Sequence, residues 1–253
     1  MSVSALVFPI VTTDRVASAP PRGQSPLLWA SLQRCLAGMS GDRAPMVLDC
    51  GGGSGSLAVP LASQGAEVTV VDISIDALST LMRRAAEAGS SERVTAVQGE
   101  AEALSDLVPM DHFDLVLAHE VLESVTSLSA GLRQITSVLR PGGSTSIVLG
   151  NPVAVVLGRA LAGDVAGALA ALRHPSHEVY DLDDLITECR TAGLEVDSVD
   201  GIGVFSELVP GIELERPGAM TALADLEAAT AGLAPYRDIA SRLHLMARRP
   251  ATV

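Results

Sequence analysis

The 253-residue chain is 48% hydrophobic but only 2% aromatic, so it can bury an aliphatic core in one domain of the larger kind. Its formal net charge is −13 and every basic residue is arginine; a broad nucleic-acid-binding surface needs clustered cations that this balance does not provide, although a local basic patch is still allowed. No run approaches the roughly 20 apolar residues of a membrane span, and Cys35, Cys50 and Cys189 are too scattered for a metal spacing or a disulfide framework, which suits a reducing cytoplasm.

Residues 1–26 read as an N-terminal arm. Its apolar stretch 5–11 has no positive residue before it and is interrupted by Pro9, so it is not read as a secretory signal. A helix is predicted over 27–38, with Trp29, Leu32 and Leu36 on one side, followed by strand one over 46–49. A crossover helix over 57–64 leads to strand two over 68–72, and a helix over 75–89 closes at Gly89. Strand three covers 94–98 and strand four 113–118. The helix over 128–139 ends at Leu139-Arg140-Pro141-Gly142-Gly143, where proline and paired glycines turn the chain into strand five, 145–149. Residues 151–172 are Ala-, Gly- and Leu-rich, and the segment 151–180 reads as a helical insertion over the site. Asp181 is the expected N-cap of a helix over 181–192 that Gly193 stops. The stretches 194–199, 204–205 and 242–247 supply the remaining strand material, with a helix over 219–232 between. Each alternation predicts a right-handed crossover, hence an α/β fold with a mostly parallel seven-stranded sheet and helices on both faces, in a single domain over 1–253.

The segment Val47-Leu48-Asp49-Cys50-Gly51-Gly52-Gly53-Ser54-Gly55 carries the most chemistry. An apolar strand runs into Asp-x-Gly-x-Gly-x-Gly, whose glycines let the backbone take positive φ and approach a ligand with no Cβ in the way. Two cradles compete. A dinucleotide loop started at Gly51 would need glycine where Ser56 stands, but started at Gly53 it finds Ala58, which the looser fingerprint allows. Asp49, two residues before the first glycine, suits the methionine and ribose of S-adenosylmethionine better. Val68-Thr69-Val70-Val71-Asp72 ends in a second carboxylate that can hold both ribose hydroxyls, at a spacing that fits either cofactor.

These two motifs resemble motif I and the following acidic motif of class I S-adenosylmethionine-dependent methyltransferases. More narrowly, Asp114-Leu115-Val116-Leu117-Ala118-His119-Glu120-Val121-Leu122-Glu123, Leu139 to Gly143, Gly203-Val204-Phe205, Leu226-Glu227, and Pro235-Tyr236 with the stretch Leu243 to Pro250 are together similar to the bacterial tRNA 5-carboxymethoxyuridine methyltransferases, from about Arg22 onward. The resemblance implies a Rossmann-like class I fold, S-adenosylmethionine as cofactor leaving as S-adenosylhomocysteine, and no metal. It implies that Asp49, Gly51, Gly52, Gly53 and Gly55 cradle the methionine end, Asp72 with Ile73 meets the ribose, and Glu100, Ala101 and Glu102 lie by the adenine. His119 sits by the methionine and is the candidate catalytic residue, and Arg22 meets the cofactor carboxylate. Asn151, Arg159 and Tyr180 are the expected acceptor-facing residues. The implied partner is tRNA carrying a modified wobble uridine, although the inserted segment offers only Arg159, Arg173, His174 and His177 where the family is more basic. A small-molecule O-methyltransferase and a non-catalytic protein that binds S-adenosylmethionine are the alternatives.

The expected reaction is an in-line displacement at the sulfonium methyl carbon. Aligning nucleophile, carbon and sulfur, with the reacting atoms about 3 Å apart, supplies several kcal/mol through orientation alone. A carboxylate acceptor is ionised at neutral pH and needs no general base, whereas an alcohol would require one, with His119 the candidate.

Overall fold

The computed structural model describes residues 19–21, 23–39, 43–174 and 180–251. Helix α1 is Pro26–Gly38: the Ser25 hydroxyl accepts from the Leu28 amide, Pro26 takes the first-turn position, and Leu28, Trp29 and Leu32 are buried. Then come β1 (Met46–Cys50), α2 (Ala58–Ser63), β2 (Glu67–Asp72), α3 (Ile75–Glu87), β3 (Val94–Gln98), α4 (Leu104–Leu107), β4 (Phe113–His119), α5 (Leu128–Val138) and β5 (Leu139–Gly150). Helix α3 shows why the local sequence suffices. Ser74 caps it by accepting from the Ala77 amide at 3.2 Å, Leu78, Leu81 and Ala85 form its buried stripe, and Gly89 leaves it at φ 68°. Each leucine buried on such a face contributes about 2 kcal/mol.

The second part contains α6 (Pro152–Leu161), α7 (Val165–Arg173), α8 (Leu182–Thr191), β6 (Glu195–Ile202), α9 (Gly211–Leu214), α10 (Ala219–Thr230), α11 (Ala234–Arg237) and β7 (Arg242–Arg248). The strand order is β3-β2-β1-β4-β5-β7-β6. The first five strands are parallel, but β7 runs antiparallel to both β5 and β6, so the sheet is mixed. Crossover reasoning therefore holds through β6, which runs parallel to the first five strands, and fails only at β7, which returns between β5 and β6 from the opposite end.

Strand alternation separates two cores. Val47, Val68, Val70, Leu115 and Leu117 point to one face, under Trp29, Leu32, Leu61 and Leu81 of the α1–α3 layer. Leu48, Val71, Val116, Ala118, Ile147 and Leu245 point to the other, under Leu132, Ile135, Leu185 and Cys189 of α5 and α8. At the base of β4 the buried Asp114 carboxylate takes both Arg43 guanidinium nitrogens at 2.7 and 2.8 Å and the Met46 amide at 2.8 Å, and is ion-paired with Arg140.

Two expected elements differ. Val204-Phe205 is not strand, because the amides of Val204, Phe205 and Ser206 all donate to the Glu227 carboxylate and have no ladder to join. Residues 140–143, expected as a turn, belong to β5 as an irregularity: Phe113 pairs with Leu139 and Leu115 with Ser144, and the residues between bulge out and exchange hydrogen bonds with Arg249.

Candidate cofactor cleft

The loop after β1 is held by the end of β2. The Gly51 amide donates to the Val71 carbonyl at 2.7 Å, and the Asp72 carboxylate accepts from the Gly53 amide through one oxygen and from the Ser74 amide through the other, both at 2.8 Å. Charge-assisted bonds of this kind fix the loop to the end of β2 before any ligand is present. Its glycines are needed for two reasons. Gly55 has φ 77°, and a Cβ there would lie 2.3 Å from Leu81 Cδ1; Gly52 needs no special φ, but its Cβ would lie 2.5 Å from the Asp49 carboxyl group.

Asp49 is only 4% exposed at the end of β1. Burial first, and the charge of Asp72 second, push its carboxyl up to about 7, so a cation placed beside it would draw it into the charged form. The neighbouring Cys50 thiol is pushed up to about 12 by burial and by Asp49 and Asp72, and is inert at neutral pH.

A cleft of about 320 Å³ opens at the carboxyl ends of β1 and β4, lined by Gln24, Asp49, Gly52, His119, Glu120 and Arg242 among others. Gln24 donates to the Ser56 hydroxyl at 3.1 Å, tying the start of α1 to the glycine loop. Glu120 takes φ 56°, rare for a residue with a Cβ, and is ion-paired with Arg242 across the cleft floor. His119 Nε2 lies 2.9 Å from the Ser146 hydroxyl, which is 2.9 Å from His244 Nε2. Burial, then the other histidine, lowers His119 to about 3, and burial, then Arg34, lowers His244 to about 4, so both rings are neutral near pH 7.

Of the residues expected from sequence, Asp49, Gly51, Gly52 and His119 meet on this cleft, and Gly53, Gly55 and Asp72 form its supporting loop. Ile73 is 69% exposed next to Asp72, and its carbonyl accepts from Gln98. Glu100 is exposed, while Ala101 and Glu102 sit half-buried in a short 3-10 turn after β3, with Glu102 accepting from Thr126. These groups lie at the ends of β2 and β3, the neighbouring strand ends. Arg22 lies outside the described residues, although Gly23 and Gln24 line the cleft.

The expected acceptor residues are not gathered there. Asn151 is buried and serves as the N-cap of α6: its side-chain oxygen accepts from the Val153 amide, and its side-chain nitrogen donates to the carbonyls of Asp238 and Ala240 at 2.9 and 2.8 Å. Arg159 is exposed on α6 and paired with Asp164 at 3.3 Å, and Tyr180 packs half-buried against the main core. Sequence reasoning passed over Ser146, Glu120, Arg242 and His244 as site residues. Glu120 and Arg242 line the cleft, whereas Ser146 and His244 are fully buried behind His119, where strand pairing places them.

A methyltransferase-domain family model matches residues 47–143. The tRNA 5-carboxymethoxyuridine methyltransferase of Escherichia coli K12 is 27% identical over 230 residues, which cover 88% of this chain and 87% of that protein. The ubiquinone biosynthesis O-methyltransferase of Paracidovorax citrulli is 32% identical over 169 residues, covering 66% of this chain and 69% of that protein. Among solved structures, magnesium protoporphyrin IX methyltransferase from Synechocystis PCC 6803 with bound SAH superposes with a TM-score of 0.57, over 87% of this chain and 81% of its own, at 17% identity, a likeness of fold.

Proposed function

The chain belongs to the S-adenosylmethionine-dependent methyltransferases, and we propose that it transfers the methyl group to an acceptor oxygen that is already ionised, the first candidate being the carboxymethoxy carboxylate of a modified wobble uridine in tRNA, ahead of a hydroxyuridine oxygen, which must first lose its proton. The state of His119 carries this reading. The imidazole is held well below its ordinary basicity and its Nε2 is engaged by Ser146, so it is a poor proton acceptor near pH 7. A carboxylate makes no demand on it.

The sulfonium cofactor supplies the methyl group when bound. Asp72, at the end of β2, would take the ribose hydroxyls, and exposed Ile73 would offer an apolar surface beside the adenine, with Glu100, Ala101 and Glu102 at its edge. Asp49 would meet the ammonium of the methionine end, where a positive charge offsets the cost of ionising it in a buried position. Gly52 keeps open the approach to that carboxylate. Arg22 remains a candidate for the cofactor carboxylate. We take residues 1–253 as one methyltransferase domain, with 1–26 as an arm and 151–180 as a cap.

Similarity over most of the chain to a tRNA-modifying relative supports the nucleic-acid acceptor and a cytoplasmic setting. Among the described residues no helix is long and apolar enough to cross a membrane. A second reading, an apolar small-molecule acceptor, is favoured by the α6–α7 hairpin after β5, where Leu161, Val165 and Leu172 are 71%, 69% and 66% exposed. Protein supplied with methyl-labelled S-adenosylmethionine, bulk tRNA from a strain lacking the gene, and separately a small-molecule extract tests both. The expected result is label in a uridine nucleoside after tRNA digestion. Label only in the extract moves the assignment to the second reading, and label in neither overturns both acceptors.

A further inference from the structure

Strands β4, β5 and β7 set His119, Ser146 and His244 side by side on the sheet face that α1 covers. Val148 pairs with His119 on one side and His244 on the other, and Ser146 lies two residues before Val148, so pleating turns all three side chains the same way. The Ser146 hydroxyl lies 2.9 Å from Nε2 of each imidazole, and both Ser146 and His244 are fully buried.

We propose that Ser146 and His244 are positioning residues that hold His119 in the Nδ1–H tautomer, so that a neutral N–H donor faces the cofactor cleft. The chain of reasoning begins at the buried end. Among the described residues His244 Nδ1 has no hydrogen-bond partner, and an orphaned N–H in the interior is rarer than an orphaned acceptor. His244 therefore carries its proton on Nε2 and donates it to Ser146. Among the described residues the Ser146 hydroxyl is hydrogen-bonded to these two rings and no third group, so its own proton goes to His119 Nε2. That ring nitrogen becomes an acceptor, and the proton of the neutral ring moves to Nδ1. His119 lines the cleft, its side chain's hydrogen bond among the described residues is through Nε2, and Nδ1 is not among the buried unpartnered atoms. The free N–H thus opens to the cleft.

The opposite tautomer would turn a lone pair toward the cleft and repel an oxyanion. A protonated ring would donate as well but would add a positive charge beside a sulfonium. The neutral Nδ1–H form avoids both, and its fitting recipient is a carboxylate oxygen at the methionine end; this last step rests on the cofactor reading above, whereas the tautomer does not.

Histidine-selective 15N labelling and long-range 1H–15N spectra of the cofactor-free protein read the tautomer directly, with single-histidine variants for assignment. His119 is expected to be protonated at Nδ1 and bare at Nε2, and His244 the reverse. His244→Leu should release His119 into the Nε2–H form or a mixture and weaken S-adenosylhomocysteine binding about tenfold, the loss of one good hydrogen bond to a charged group. His244→Gln keeps a donor facing Ser146 and should restore both the His119 signature and the affinity. Protonation of wild-type His119 at Nε2 overturns the proposal without any variant, as does an unchanged tautomer in His244→Leu. Altered tautomer with unaltered affinity removes the proposed binding role. Failure of the wild type to bind S-adenosylhomocysteine would sink the cofactor reading and leave the tautomer result to stand or fall by its own spectrum.

Discussion

The glycine loop and the α6–α7 hairpin flank the same end of the sheet, yet their polar and apolar groups are treated in opposite ways. In the loop, both oxygens of Asp72 hold backbone amides, Gly52 makes room for the Asp49 carboxyl, and Gly51 is bonded to β2. In the hairpin no residue of α6 is buried, and leucines and valines stand in solvent. The glycine loop is therefore in place before any ligand arrives, and the hairpin leaves apolar area uncovered. Rigid placement matters most where a reaction depends on alignment. It also explains why family membership is decided by one half and acceptor identity is not.

Breaking the ordered half gives the largest effects. Asp72→Ala removes a carboxylate that holds two backbone amides and should weaken S-adenosylhomocysteine binding by roughly 100-fold, about 3 kcal/mol, in a calorimetric titration; equal affinity would show that the ribose site lies elsewhere. Gly55→Ala combines a positive φ with a Cβ driven into Leu81, and should lower the urea-unfolding free energy by about 2 to 3 kcal/mol.

Asp49→Asn should split function from stability. The folded pKa of Asp49, about 7, lies above its ordinary value of 3.8, so the folded state keeps its proton longer, and the cofactor-free protein loses this contribution as pH rises from about 4 through 7. At pH 8 the asparagine variant should be more stable than wild type by on the order of 2 kcal/mol while binding cofactor about tenfold less tightly. His119 and His244 give the opposite slope: with folded values below the ordinary 6.5, their contribution is full above that pH and is lost as pH falls toward 4. Denaturation curves at pH 5, 7 and 8 separate the two. The smallest effects belong to the hairpin. Leu161→Asn with Leu172→Asn should leave stability within about 0.5 kcal/mol and cofactor affinity unchanged; a raised KM would be seen for an apolar acceptor but not for tRNA.

The same contrast marks what the sequence makes legible. Strands β1 to β4, the central part of β5, the Gly89 stop after α3 and the glycine loop follow from local periodicity and turn chemistry, and appear where the pattern places them. The direction of β7 does not, because an antiparallel insertion is settled by pairing between distant segments. Val204-Phe205 has strand-like residues, but Glu227, more than twenty residues away, takes its amides. Asn151 was expected to face an acceptor because it follows a strand; the competing signal was Pro152, since asparagine before a first-turn proline is also a strong helix start. Ser146 and His244 are 98 residues apart, and their meeting depends on the register between β5 and β7.

The pH dependence of single-turnover methyl transfer, with saturating cofactor and a carboxylate-bearing acceptor, tests the central claim most directly. An acceptor already ionised, beside an imidazole that does not take its proton, gives a rate that is flat from about pH 6 to 9. A rate that rises about tenfold per pH unit to a plateau near 7, and loses that rise in His119→Gln, would make His119 the general base and contradict the account.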